Sequence, residues 1–320
     1  MITVLRRYGT LIGFVGVLLF FWVNLPDTFM TGRNWLNITQ QVSMLTVVAA
    51  GMTIVMVMGD FDLSVGSMAS LSGIVVAKLF TLGYPVSAAV AVALFAGLVG
   101  GAINGVLVSF IGILPFIATL ATLTIFSGAA FMISGGKTIF GRDIPDAFSG
   151  FARGGIPLGG GTLSLPYLTI VAATVVVLVW VLLEQTTFGR RLYAIGGNSE
   201  AARLSGVRLR SLRLIAFSLA GFGAAVAGLM YSSRVASANP TQGSGLMLNA
   251  IAAVFLGMTM SEEGEPRVYA TLVGVLALGV LDNGLTQMSV DSYVRDILVG
   301  AIILAAVASS SWWKQGRQAI

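Results

Sequence analysis

Apolar runs of bilayer-crossing length recur along the whole chain and restrict it to the folds that a membrane allows. A hydrocarbon core takes about 20 apolar residues per crossing helix. Runs of this kind occupy 9–24, 41–58, 66–81, 86–110, 113–133, 165–184, 212–232, 246–260, 268–288 and 293–311. Backbone polar groups in lipid must bond within the protein, so segments of this length cross as helices. The sequence therefore predicts an all-α polytopic membrane protein with about ten transmembrane helices, forming one transmembrane domain over residues 1–320. A chain that is 56% hydrophobic and 10% charged is too apolar for a soluble domain of this length. Arg6 and Arg7 precede the first run, and its exit, Asn24-Leu25-Pro26-Asp27, offers no small-x-small cleavage site. The first run thus reads as an uncleaved helix that starts in the cytoplasm.

The few charges are clustered. Arg190, Arg191, Arg203, Arg208, Arg210 and Arg213 fall within one short stretch. Lys and Arg are biased to the cytoplasmic side of a membrane. Ten crossings from a cytoplasmic N-terminus put the 186–211 loop, Lys314 and Arg317 inside, with both termini cytoplasmic. The 134–163 loop then faces the periplasm, where Lys137, Arg142, Asp143, Asp146 and Arg153 nearly balance. Removing one upstream helix would put six arginines on the wrong side. The same bias accounts for the net charge of +5, so no nucleic-acid partner is expected. The chain has no cysteine and no histidine. That excludes disulfides, thiolate chemistry, Cys/His metal sites and a histidine proton relay. No paired base and nucleophile is visible, so the sequence predicts no catalytic residues, no metal site and no enzyme.

Small residues mark helix contacts, because lipid offers no hydrophobic drive for helices to associate. Gly97, Gly101 and Gly105 recur every four residues along one face. Gly221, Ala225 and Gly228 make a second small face. Gly51-Met52-Thr53 is echoed by Gly257-Met258-Thr259, and Asn104-Gly105 by Asn283-Gly284. An internal duplication would put a transport path at the repeat interface. Chance likeness in apolar sequence explains matches this short equally well.

Two polar segments interrupt the apolar pattern. Gly59-Asp60-Phe61-Asp62-Leu63-Ser64-Val65-Gly66-Ser67 joins two runs through two carboxylates and two hydroxyls. It reads either as a gate or path lining, or as a tight cytoplasmic turn in which Asp62 or Ser64 caps the next helix. Spacing alone favours the capped turn, since capping requires no substrate. The second segment, 198–206, predicts a helix of about two turns, with Ser199 as N-cap, Glu200 in the first turn and Gly206 ending it left-handed. Generic physics weighs a docking element and an incidental loop helix evenly. Gly135-Gly136-Lys137-Thr138 resembles the end of a phosphate-binding loop. The first glycine of that motif would fall at Phe131, so no nucleotide role is assigned.

The stretch Gly196-Gly197-Asn198-Ser199-Glu200-Ala201-Ala202-Arg203-Leu204-Ser205-Gly206 resembles the coupling loop of bacterial ABC sugar permeases of the ribose/xylose/arabinose type. Asp62-Leu63-Ser64-Val65-Gly66-Ser67, Ser237-Ala238-Asn239-Pro240-Thr241, Ala250-Ile251-Ala252-Ala253-Val254 and Asp282-Asn283-Gly284-Leu285 are similar to further signatures of that family. The likeness runs from about residue 40 to 310. It implies the ABC importer permease fold and the multi-pass transmembrane subunit of a binding-protein-dependent importer in a bacterial inner membrane. It implies that Ser199, Glu200, Ala201, Ala202, Arg203 and Gly206 engage a cytoplasmic ABC ATPase, which would hold the ATP and Mg. It also implies a periplasmic sugar-binding protein and a second permease copy or paralogue. The chain departs from the family pattern twice. Asp60 and Phe61 stand where the pattern has glycine and isoleucine. The turn 257–266 carries Glu262, Glu263 and Glu265 where the pattern is glycine-rich.

The leading expectation is a monosaccharide or polyol permease that needs no cofactor of its own. Asp62, Ser64, Ser67, Asn104, Asn249 and Asn283 are the candidates for its path, gate or supporting shell. Membrane Asn and Ser also bond neighbouring helices, which is the structural alternative for each. The competing class is an ion-coupled secondary carrier. Such carriers keep ionisable groups deep in the bundle, and here nearly every charge falls at an expected helix end, with Asp282 the main exception. A passive channel would need a charge ring or a carbonyl filter, and neither pattern appears.

Overall fold

In the computed structural model the chain is described over residues 2–159, 163–261, 264–302 and 304. Long apolar helices dominate it: α1 (Ile2–Asn24), α2 (Gly32–Met56), α3 (Val65–Thr81), α4 (Val86–Val106), α5 (Pro115–Ser134), α7 (Tyr167–Trp180), α10 (Leu209–Val235), α11 (Ser244–Met258) and α12 (Val268–Gln287). Three short helices, α6 (Asp146–Arg153), α8 (Thr187–Gly197) and α9 (Ser199–Leu204), lie between them. Six helices are long and apolar enough to cross a bilayer: Gly32–Met56, Val86–Ile111, Pro115–Ser134, Tyr167–Gln185, Leu209–Val235 and Val268–Gln287. Leu11–Asn24, Val65–Thr81 and Ser244–Met258 are shorter apolar helices. These segments coincide with the first nine expected spans. Residues 292–302 are also helical. The end of the expected span 293–311 lies outside the described residues, as do Lys314, Arg317, Glu262 and Glu263. Glu265 of the same acidic turn lies 3.6 Å from Arg267.

The chain divides into two compact units, one made of residues up to 42 with those from 248 onward, the other Ser43–Met247. In the second unit α10 is the spine, about 40 Å long at 1.5 Å per residue. It packs most extensively on α4. The two small-residue faces foreseen in the sequence meet each other there. A Cβ at Gly97 would lie 2.4 Å from the Cβ of Ala225, and one at Gly101 only 2.2 Å from the Phe217 carbonyl oxygen. From the other side, a Cβ at Gly221 would lie 2.4 Å from the Gly97 carbonyl. Further along α10, Gly228 admits the Ala69 carbonyl of α3 in the same way, at 2.1 Å. Phe217, Ala220, Val55, Val108 and Ala118 fill one end of this unit. Ile74, Ala77, Phe80, Ala89, Ala93, Phe148 and Leu229 fill the other.

The segment expected as a plain charged loop, 134–163, holds structure. Strand β1 (Ile139–Phe140) pairs antiparallel with β4 (Ser237–Ala238). Strands β2 (Gly155–Pro157) and β3 (Ser164–Pro166) form a second pair. Helix α6 buries Phe148, Ser149 and Ala152. The Phe148 ring meets Phe80 edge-on at 5.1 Å, and its carbonyl accepts the Ser233 hydroxyl. Gly135, with φ +62, ends α5 in the left-handed conformation. The P-loop-like tetrapeptide is thus a helix terminus.

In the first unit, the Phe21 ring of α1 covers Gly284 of α12, where a Cβ would approach within 2.5 Å. Gly274 likewise admits the Ala253 carbonyl, at 2.1 Å. Asp282 accepts Nε2 of Gln41 at 2.6 Å and pairs with Arg295. The carboxylate inside an apolar span is therefore answered by protein.

The α4–α10 contact should not tolerate a branched side chain. Gly101→Val is expected to cost about 1–3 kcal/mol or more through overpacking, read as a fall in the thermal unfolding midpoint of the detergent-solubilised protein. A Cβ at Gly128 meets nothing within 4 Å, so Gly128→Ala should leave that midpoint unchanged or slightly raised.

Candidate functional site

Residues 57–64 turn the chain from α2 into α3. Gly59, at φ +79, supplies the left-handed residue of this turn. Asp62, 1% exposed, folds its carboxylate back over the following backbone. Its Oδ1 accepts the Ser64 amide at 2.9 Å and the Ser64 hydroxyl at 2.6 Å. This corrects the expected capping. Ser64 holds the cap position of α3 but makes no side-chain cap bond, and Asp62 takes the amide of Ser64 itself. The reason is conformational. A capping residue normally sits in the β region, whereas Ser64 is already helical at φ −82, ψ −10.

The Ser64 hydroxyl is recruited into a buried chain of bonds instead. Asn104 of α4 donates Nδ2 to Ser64 Oγ at 2.8 Å and reaches Asp62 Oδ1 at 3.4 Å. Thr122 of α5 donates its hydroxyl to Asn104 Oδ1 at 2.7 Å. Thr119 reaches the Phe61 carbonyl at 3.4 Å while bonding Pro115 at 2.8 Å. Asp62, Ser64, Asn104, Thr119 and Thr122 are all buried. Asp62 Oδ2 is buried without a hydrogen-bond partner. Burial raises the pKa of Asp62, against the bonds from Ser64 and Asn104 that lower it. Ser67 joins at the edge, donating its hydroxyl to the Ser64 carbonyl at 2.9 Å.

Four of the six expected path residues therefore come together: Asp62, Ser64, Ser67 and Asn104. The other two belong to the other unit. Asn283 is buried on α12 and accepts Gln287 Nε2 at 2.8 Å, while Asn249 is half-buried on α11. Thr119 and Thr122 were not foreseen. Their spacing of three on one helix was the available signal, a weak one because Thr bonds its own helix backbone so often.

Asp60 was not foreseen either, although it stands where the resembled family has glycine. Its Oδ2 lies 2.9 Å from Nε of Arg213, one turn into α10, and its Oδ1 accepts Arg213 Nη2 at 3.4 Å. Burial pushes the Asp60 carboxyl up to about 6, and the Arg213 charge and hydrogen bond hold it back from rising further.

The basic segment forms two helices, each begun by an ordinary side-chain cap. Thr186 caps α8 by accepting the Gly189 amide at 3.4 Å. Asn198, and not Ser199 as expected, caps α9. Its Oδ1 accepts the Ala201 amide at 2.9 Å, which makes Ser199 the first helical residue. Asn198 has the extended backbone a cap needs, at φ −157 and ψ 101. At the far end Gly206, at φ +81, donates its amide to Arg203, and Val207 donates to Ala202. That bond pair is the six-to-one and five-to-two closure of a left-handed helix stop. Ser199, Glu200, Ala201, Arg203 and Leu204 are exposed, and Ala202 is buried. Glu200 and Arg203 pair on the surface, and that bond lowers the Glu200 pKa. The result is a short helix fixed at both ends, with a charged face and an apolar Leu204 presented outward. Such an element can seat in another protein's groove.

Residues 34–307 match the family described as branched-chain amino acid transport system / permease component. The ribose import permease protein RbsC of Bacillus subtilis is 40% identical over 95% of this chain and 92% of its own length. The D-allose transport system permease protein AlsC of Escherichia coli is 33% identical over 94% and 90%. The xylose transport system permease protein XylH of Escherichia coli is 30% identical over 97% and 93%. No solved structure matches the chain.

Asn104 is the hub of the buried network, since it bonds Ser64, Asp62 and Thr122 at once. Asn104→Leu removes these three buried bonds while Ser64 and Asp62 keep each other, and should cost about 1–3 kcal/mol, seen as a lower thermal midpoint. A midpoint equal to native would mean the network carries no net stability.

Proposed function

The chain belongs to the permease-component family matched above, and we propose that it is the transmembrane subunit of an ATP-driven importer for a monosaccharide or related small polyhydroxylated solute. It is a multi-pass membrane transport subunit and not an enzyme; ATP hydrolysis belongs to a separate chain. ATP and Mg would sit on that cytoplasmic ATPase. A periplasmic binding protein would deliver the solute, and a second copy or paralogue of this chain would complete the membrane path. The basic segment 186–211 and both termini would face the cytoplasm, as the inside bias of Lys and Arg requires.

One observation carries this reading. The segment between α8 and α10 is a doubly stopped helix with Glu200, Arg203 and Leu204 turned outward. A plain loop needs no such order, whereas a docking element does. Switching requires that ATP and the loaded binding protein each favour one conformation over the other. The helix would transmit that preference into the bundle. Asp62, Ser64, Ser67 and Asn104 would line or support a weakly binding path; Asn249 and Asn283 are proposed for the same kind of role within their own unit. Weak binding is needed because tight binding would block release.

The experiment is reconstitution of the chain with its ATPase and binding protein in proteoliposomes. ATP-dependent uptake of ribose, allose or xylose is the expected result, and uptake by this chain alone on an ion gradient would refute the reading. Glu200→Lys breaks the Arg203 pair and puts a cation in the first turn of α9. Stimulation of the ATPase by the loaded binding protein should fall about fivefold or more, the scale of one coupling free energy. Unchanged assembly and stimulation would show that this helix is not the docking element.

A further inference from the structure

The eight residues 57–64 touch both flanks of the docking helix on one side and the core helices on the other. Before the docking helix, α8 lies against the start of the turn. A Cβ at Gly196 would stand 2.0 Å from the Val57 carbonyl oxygen, so only glycine fits there. After it, Arg213 of α10 reaches Asp60 at 2.9 Å. On the far side, Phe61 and Asp62 meet α5 and α4 through Thr119 and Asn104. The basic stretch holds six arginines. Arg203 pairs on the surface with Glu200; among the described residues, Arg213 alone of the six pairs with a buried carboxylate.

The geometry of that pair is informative. Arg213 Nε and Asp60 Oδ2 are in ionic contact, yet neither atom has an aligned hydrogen bond. Beside that contact Arg213 Nη2 donates a longer bond to Asp60 Oδ1 at 3.4 Å, so only one of the two contacts is an aligned hydrogen bond. Attraction between partly desolvated charges this close falls off slowly as they shift. Gly59 beside it sits at φ +79, in the left-handed region that glycine adopts without strain.

We propose that the 57–64 turn is the relay between the docking helix and the α3–α4–α5 core, with the Asp60–Arg213 pair as its tie and Arg213 as a positioning residue. Movement of α8–α9–α10 against the ATPase pulls Asp60 through Arg213 and presses Val57 through Gly196. The turn passes that displacement to the Asp62–Ser64–Asn104–Thr122 network, which links α3, α4 and α5. This rests on the reading of α9 as the ATPase-docking element.

The test uses the full importer in proteoliposomes, with ATPase and binding protein present, and reads solute imported per ATP hydrolysed. Asp60→Asn and Arg213→Gln should each lower that ratio about tenfold, while Arg213→Lys, which keeps the charge, should stay within about twofold of native. A native ratio in Asp60→Asn overturns the relay. So does an Arg213→Lys variant as defective as Arg213→Gln, because charge would then not be what matters. If import and ATP use fall in step with lost thermal stability or assembly, the pair is a structural strut and the relay is overturned too. Gly196→Ala probes the second contact independently and should also lower the ratio; a native ratio there removes the Val57 arm. Failure of the native chain to couple uptake to ATP at all would instead remove the functional reading beneath the proposal.

Discussion

A carboxylate taken out of water must be answered by the protein around it, and the turn between α2 and α3 carries two. Asp60 is answered by a charge from α10, and Asp62 by hydroxyl and amide groups from its own turn and α4. These two answers fix where α3, α4, α5 and α10 can stand at this end of the unit. Removing either partner would strand the other in surroundings that cannot solvate it. The polar cluster is thus costly to bury, and it ties α3, α4, α5 and α10 together.

Glycine makes that arrangement reachable. The network needs α4 close enough to the turn for Asn104 to reach Ser64, and α10 close enough for Arg213 to reach Asp60. Both helices come within that reach because Gly97, Gly101 and Gly221 remove the side chains that would hold their backbones apart. Small residues set the spacing, and the polar groups use it. Specificity of helix position in lipid comes from this pairing of close packing with a few hydrogen bonds, since burial against lipid tails discriminates little.

Much of this was legible in the chain. The helices coincide with the apolar runs because length and hydropathy alone decide what crosses a bilayer. The α4 and α10 faces were legible because a four-residue glycine spacing has one meaning on a helix. Helix α9 was placed within a residue. Its cap was assigned to Ser199 instead of Asn198 because both residue types cap well and only backbone conformation separates them. Asp62 and Ser64 were singled out together, as caps or as path lining, and sequence could not show Ser64 in a helical conformation. The Asp60–Arg213 pair was invisible because its members stand 153 positions apart. The small structured cap formed by β1, β4 and α6 was missed because strands of two residues and a helix of eight leave almost no periodic trace.

All of this hangs on which face of the membrane carries α9. The chain has no cysteine, so a single Glu200→Cys substitution gives a unique label. Labelling with a membrane-impermeant maleimide, in intact spheroplasts and in inverted membrane vesicles, reads its side directly. The account predicts labelling in the inverted vesicles alone, and its suppression when the ATPase is bound. Labelling from outside intact spheroplasts would put the helix beyond the reach of any cytoplasmic motor and contradict the account.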